Sequence, residues 1–291
     1  MQPSVGVLSF ARYFNYGTQL QLFALQEAIA GLGYRSSIID YARAPSLRER
    51  NGFQDSPVQF PEDSARGIVA RVLGLPSSIV SRLQARRRDR RYLEFERFQA
   101  SRLRFGDTLQ YQSAMDLVRS PPVHDAYVVG SDQVWSPVVH IGDPAYFLSF
   151  APPTKRISYA PSMGVAQVPE QLGDWLAAHV DAIPHLSVRE EEAALAIEEL
   201  TGRKPRVVVD PTLLRTGPEW AEYGRIVPGT ERPYLLQYVL QGDEYVRDIS
   251  LGIASERDLD VVVIPVHDRD VGWRHPKVVR AWDVGPEQFL H

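Results

Sequence analysis

Residues 4–41 read SVGVLSFARYFNYGTQLQLFALQEAIAGLGYRSSIIDY, and their order decides the fold class. The run 4–10 (SVGVLSF) is short, apolar and suited to a buried strand. Polar turn chemistry follows at Asn15, Tyr16 and Gly17. In the next stretch, 18–34, Leu20, Ala24 and Ala28 fall on one line with Leu25, Ile29 and Leu32 beside it. That is a helical stripe, and Gly33 is placed to end it. Residues 37–41 (SIIDY) read as a second strand. Strand, helix and strand within about forty residues is a βαβ opening.

The same alternation continues outward. Strands are expected at 125–129 (DAYVV), 156–159 (RISY), 185–188 and 206–209, and helices at 171–181 and 190–200 with Gly202 beyond the latter. Residues 43–63 read as loop and 65–104 as helical. Glycine and proline then cluster at Gly217, Pro218, Pro228, Gly229 and Pro233, which marks a linker over 216–233. Past it come a strand from 234, a helix over 244–257 and a strand over 261–266. GPEQFL (285–290) opens another helix, with proline at its first position. The chain thus divides into a first domain (1–215) with a helical insertion at about 65–104, the linker, and a second domain (234–291). Repeated βα order predicts an α/β fold with open, mostly parallel sheets and helices on both faces.

Composition removes several classes of function. The 291 residues contain no cysteine, so disulfides, thiol nucleophiles and cysteine-ligated metals are excluded. Net charge is −4, which gives no global pull toward nucleic acid. The three lysines are Lys155, Lys204 and Lys277, so the first 154 residues cannot hold a phosphate-loop lysine. No histidine pair has metal spacing, and no metal site is expected. The start lacks the basic and apolar regions of a leader peptide, and no apolar stretch reaches membrane-spanning length. A cytoplasmic protein, at most peripheral to a membrane, is the expectation.

In open parallel sheets ligands sit outside the carboxyl ends of the strands, so the residues just after each strand are the candidates. Asn15, Tyr16 and Gly17 open the first helix. They can present backbone N–H groups to an anion, or Asn15 can simply cap the helix. The G-x-G-x-x-G dinucleotide spacing is absent. Ser131, Asp132 and Gln133 follow the third strand, where Asp132 can orient a sugar hydroxyl or take its proton; the alternative for Ser131 and Asp132 is a cap, and Trp135 reads as core. Ser158 and Ser162 bracket the end of the fourth strand and suit either a ligand loop or a turn. Arg189 can clamp a carboxylate or phosphate, or pair with Glu190, Glu191 or Glu192 on the surface. Asp210 and Pro211 read as a structural turn. The run Arg82, Arg86, Arg87, Arg88, Arg90 and Arg91 against Asp89 reads as a solvated helix face, with a polyanionic acceptor or an anionic membrane surface as the functional alternative. The lone histidines, His124, His140, His179, His185, His267 and His275, read as surface or core rings.

Taken together these strand ends resemble the polysaccharide pyruvyltransferases. The likeness runs in order through NYGTQLQLFALQ (15–26), SIIDY (37–41), VVGSDQVW (128–135), YFLSFAPPTKRISYAPSMG (146–164), LSVREEEA (186–193), VVDPTLLRTGPEW (208–220), RPYLLQYVL (232–240) and GPEQFL (285–290). It implies a GT-B-like pair of Rossmann-type domains. It also implies transfer of a pyruvyl group from phosphoenolpyruvate, a donor substrate with no further cofactor, to two hydroxyls of a glycan or lipid-linked glycan, forming a ketal. On that pattern Arg189 holds the donor anion, Asp132 serves the acceptor hydroxyl, and Asn15, Tyr16 and Gly17 floor the cleft. The family pattern continues into a later histidine-containing stretch, so the second domain is expected to be incomplete, with Leu235, Leu236 and residues 261–264 partly uncovered and oligomerisation open. Ser136 and Ala193 stand where the family commonly has Asn and Gly. A GT-B glycosyltransferase using a sugar nucleotide and a non-catalytic assembly module are the rival expectations.

Overall fold

The computed structural model describes residues 2–42, 77–106, 110–137, 142–165, 167–239, 244–265 and 275–291, with the side chains of 77–89, 239 and 265 outside the description. The expected loop at 43–63 and the start of the expected helix at 65–76 fall outside it. So do His140, His267 and the side chains of Arg82, Arg86, Arg87, Arg88 and Asp89 in the basic run.

Two compact units are present. The first lies within Met1–Val58 and Gln99–Thr216, the second within Gln59–Phe98 and Gly217–His291.

In the first unit β1 (Ser4–Leu8) is buried along its whole length. It is flanked in parallel by β2 (Arg35–Ile38) and β3 (Ala126–Val129), with Val5 opposite both Ser36 and Ala126. β4 (Arg156–Ser158) completes the sheet order β2-β1-β3-β4. β5 (Ser187–Val188) and β6 (Arg206–Val207) form a parallel pair. One bridge, Ile157 to His185, joins that pair to the β4 edge, and the Ser158 N–H donates to the His185 carbonyl at 2.9 Å. Every strand pair is parallel, as the βα alternation predicts.

α1 (Tyr16–Gly31) follows β1, and Gly33 just past its end has φ +88°, a conformation glycine adopts freely. β2 begins earlier than expected and ends at Ile38, because Asp40 leaves the ladder to accept from Arg12 Nε at 2.8 Å. α2 (Ser77–Arg102) is the long helix of the basic region. Within the run, Arg90 is exposed and pairs with Asp283 at 3.5 Å. α3 (Ala114–Arg119), capped by Ser113, was not foreseen. α4 (Gly173–Asp181) and α5 (Glu191–Thr201) lie where the periodicity placed them. The core gathers Leu8, Phe10, Val129, Tyr146, Val188 and Ile197 among others. Trp135 is core, stacked on Phe147 with centroids 5.1 Å apart, and its Nε1–H donates to the Tyr146 carbonyl at 2.8 Å.

The second unit contains α6 (Gly217–Ala221) in the segment expected as linker, then β7 (Tyr234–Val239), α7 (Glu244–Glu256), β8 (Asp260–Pro265), β9 (Val278–Arg280) and α8 (Pro286–Phe289). Its sheet order is β7-β8-β9, all parallel. The expectation that residues 261–264 are uncovered is corrected. They are buried: Val261 and Val263 pack with Leu251 and Ala254 of α7 and with Leu235 and Val278, and β9, invisible in the sequence, pairs with β8 on the side away from β7. Leu236 remains 45% exposed. No helix among the described residues is long and apolar enough to cross a membrane.

Candidate functional site

From β1 the chain moves to β2 on one side and then returns to β3 on the other. Strand order therefore reverses between β1 and β3, and a doubly wound sheet opens its ligand crevice at the carboxyl ends beside such a reversal. The two segments leaving those ends are the β1–α1 connection and the loop that starts at Gly130.

α1 fixes both. Asn15 is its N-cap, in extended backbone, with Oδ1 accepting from the Thr18 N–H at 3.3 Å. The capping reading of Asn15 is therefore what the structure shows; Asn15 and Gly17 are exposed and Tyr16 is buried. Thr18 sits in the first turn, and its hydroxyl donates to Asp132 Oδ2 at 2.5 Å. One turn on, Gln21 accepts the Ser131 N–H at 3.0 Å and donates to Ser9 Oγ at 3.1 Å. The Ser9 hydroxyl in turn donates to the Ser131 carbonyl at 3.0 Å. Polar groups on an otherwise buried helix face thus hold the loop after β3.

Gly130 makes that loop possible. Its φ is +114°, and a Cβ there would lie 2.2 Å from the Tyr159 carbonyl oxygen, so only glycine fits. The Gly130–Ser131 peptide is cis, and Asp132 has φ +72°. Asp132 Oδ1 accepts the Gln133 N–H at 2.8 Å. Gln133 itself is exposed.

The β4 end splits the two serines. Ser158 and Ser187 form a reciprocal pair: each hydroxyl donates to the other's carbonyl, at 2.8 and 2.6 Å, and Ser158 Oγ also accepts the Ser187 N–H at 2.8 Å. The Ser158 hydroxyl is committed to joining β4 to β5. Ser162 differs. Its N–H donates to the Asp132 carbonyl at 2.8 Å, while its buried Oγ has no hydrogen-bond partner among the described residues. Adjacent Pro161 accepts the Arg189 N–H at 3.2 Å. Asp132 and Arg189 are therefore tied to neighbouring residues of one loop.

Arg189, at the β5 end, is a half-buried cation with two carboxylate partners. Nε donates to Glu190 Oε1 and Nη1 to Asp210 Oδ2, both at 2.9 Å. Burial pulls its pKa down, but the bonds to Glu190 and Asp210 outweigh that and raise it. Nη2 makes no hydrogen bond to any described residue, and the side chain is 28% exposed. Asp210, at the β6 end, also lies 3.3 Å from Ser131 Oγ. Burial first, and the Asp210 charge second, raise the pKa of the Tyr159 hydroxyl, which stays protonated at neutral pH.

The structure thus brings together Ser131, Asp132, Ser162 and Arg189 and adds three residues the sequence reading did not place here: Thr18, Gln21 and Asp210. The available signal for the first two was their polarity on a buried helix face. For Asp210 it was its place at a strand end, read there as a structural turn; its partners lie 21 and 79 residues away. A separate surface pocket is lined by Trp135, Ser136, Phe147 and Trp175, with no ionisable group among the described residues of its lining. Among the described residues no three His, Cys, Asp or Glu side chains are grouped to hold a metal ion.

The family model for polysaccharide pyruvyl transferase matches residues 15–288, nearly the whole chain. No curated protein and no solved structure matches it.

Proposed function

We propose that this chain, which belongs to the polysaccharide pyruvyl transferase family, takes phosphoenolpyruvate as its donor and closes a cyclic ketal on two hydroxyls of a glycan sugar. The family makes it a transferase of glycan biosynthesis with a small-molecule donor and a glycan acceptor. Donor identity, ketal chemistry, a GT-B-like organisation, action on the cytoplasmic side and a lipid-linked acceptor are the finer parts of the reading.

The reaction balances without a cofactor. A proton reaches the methylene carbon of the enol phosphate and makes it a methyl group, leaving an oxocarbenium-like centre. One acceptor hydroxyl attacks that carbon, the bond from it to the phosphate oxygen breaks, and the second hydroxyl closes the ring. Of the two hydroxyl protons, one is the equivalent of that now on the methyl carbon and the other leaves with phosphate.

One observation carries the reading: a guanidinium at the carboxyl edge of the sheet that stays charged and keeps Nη2 unengaged. Such a group holds a carboxylate or phosphate through directional N–H bonds. Asp132, held by the Thr18 hydroxyl and the Gln133 N–H, offers a fixed carboxylate to an acceptor hydroxyl. Asn15, Tyr16, Gly17, Ser131, Gln133 and Ser162 line the proposed site, while Ser158 holds the strands beneath it.

Thermal unfolding tests the donor. Phosphoenolpyruvate is expected to raise the melting temperature and UDP- or GDP-sugars to leave it unchanged. A shift with the nucleotide sugars and none with phosphoenolpyruvate overturns the reading in favour of a glycosyltransferase.

A further inference from the structure

We propose that Asp210 is the positioning residue of this site, setting the plane of the Arg189 guanidinium; the inference rests on the assignment of Arg189 to the donor anion. Asp210 is itself immobilised. Its Oδ1 accepts from the Thr212 N–H at 3.0 Å and the Thr212 hydroxyl at 2.8 Å, at the start of a 3-10 turn over Pro211–Leu214. That leaves Oδ2 as a fixed acceptor, 2.9 Å from Arg189 Nη1.

A guanidinium bonded through Nε alone can pivot about that bond. Glu190 supplies the Nε contact, but it is the next residue along the chain and moves with Arg189. Asp210 comes from the neighbouring strand, so its contact is the one that refers Arg189 to the rest of the sheet. It also stands 3.3 Å from Ser131 Oγ at the β3 end. The Ser131 hydroxyl lies closer to the Ala160 carbonyl, at 2.7 Å, so Arg189 Nη1 is the nearer of the two side-chain donors to Asp210 Oδ2. With Nε and Nη1 both held, the direction of the unengaged Nη2 is set before any ligand arrives. Recognition of a planar carboxylate depends on that direction.

Charge and alignment then act in opposite senses, which makes the variant informative. Asp210→Asn removes a negative charge beside an anion site, so phosphoenolpyruvate should bind no more weakly than to the native chain, and up to about tenfold more tightly. The same change replaces an acceptor facing Nη1 by an ambiguous amide. Phosphate release at saturating phosphoenolpyruvate, with a panel of p-nitrophenyl hexosides as acceptors, should fall about a hundredfold.

A second readout needs no turnover. The Arg189 Nε–H signal in a nitrogen-15 side-chain spectrum, identified by its loss in Arg189→Lys, should be sharp in the native chain and broadened in Asp210→Asn. An unchanged signal, or a rate within about threefold of native, overturns the proposal. A joint fall of melting temperature, phosphoenolpyruvate affinity and rate also overturns it, since that is the pattern of a lost structural cap. Native-like phosphoenolpyruvate binding by Arg189→Ala would instead remove the donor assignment itself.

Discussion

The two ends of the candidate site are built from different chemistry. Around Asp132 the partners are neutral: the Thr18 hydroxyl and the Gln133 N–H on the carboxylate, with Gln21, Ser9 and Ala160 holding Ser131 beside it. Around Arg189 they are ionic, with Glu190 and Asp210 on two sides. A carboxylate among neutral donors suits neutral hydroxyls, which give up hydrogen bonds to it at little electrostatic cost. The ionic end suits an anion, but one guanidinium against two carboxylates is net negative. A donor with two anionic groups therefore calls for positive charge beyond these three residues, and Arg189 can serve only one of its ends.

The largest expected loss of donor affinity lies at the ionic end. Arg189→Ala removes the only cation of the triad and leaves Glu190 and Asp210 facing each other. Phosphoenolpyruvate affinity by calorimetry should fall at least about thirtyfold. Retained affinity would show that the anion is held elsewhere. Next comes Asp132→Asn, which keeps an acceptor for Thr18 and removes the carboxylate charge. The rate should fall about a hundredfold with phosphoenolpyruvate affinity unchanged. If donor affinity falls as steeply as rate, the two ends act on the same ligand and the division between them fails.

The neutral end was more legible in the sequence than the ionic one, for a physical reason. Gly130, Ser131 and Asp132 follow an apolar run directly, and a strand end with that composition points to a crevice by position alone. Asn15 reads as a cap from its place before a helical stripe, and it is one. Arg189 was visible as a cation at a strand end, but its state was not, because Asp210 reaches it from another strand. Asp210 looked like turn chemistry and does cap a turn through Oδ1; its second role uses the other oxygen and leaves no local mark. Ser158 and Ser162 look alike in sequence, yet pairing with Ser187 commits the first hydroxyl, while the second has no partner among the described residues. β9 escaped notice because Val278–Arg280 is too short to show a period; its Val278 joins Leu251 and Ala254 of α7 in covering residues expected to be bare.

Thr18→Val sharpens the comparison at smaller scale. It deletes the hydroxyl on Asp132 Oδ2 and keeps the branched shape in a buried first turn. Loss of one hydrogen bond to a charged acceptor should cost about 1.5–3 kcal/mol in urea unfolding. The rate should fall about tenfold, less than for Asp132→Asn, because the Gln133 N–H still holds Oδ1. A rate loss equal to that of Asp132→Asn would mean that the Thr18 proton, not the Asp132 charge, is what the neutral end supplies.

Mild acid probes the edge of the sheet opposite the site. Arg189 stays protonated whatever the pH, since its pKa is raised. His124 lies just before β3, at the amino edge, and its pKa is lowered by burial first and then by Arg35 and Lys155, against the pull of Asp125. Its folded value therefore lies below the unfolded one of about 6.5. A group of that kind contributes stability above the unfolded value, and the contribution is lost as pH falls through the folded value. Protonation would place a second positive charge beside Lys155, whose ammonium already donates to the His124 carbonyl at 3.0 Å. Unfolding free energy should thus decline from pH 6.5 downward, and His124→Gln should flatten that decline. If the slopes of the two chains coincide, the acid sensitivity sits elsewhere.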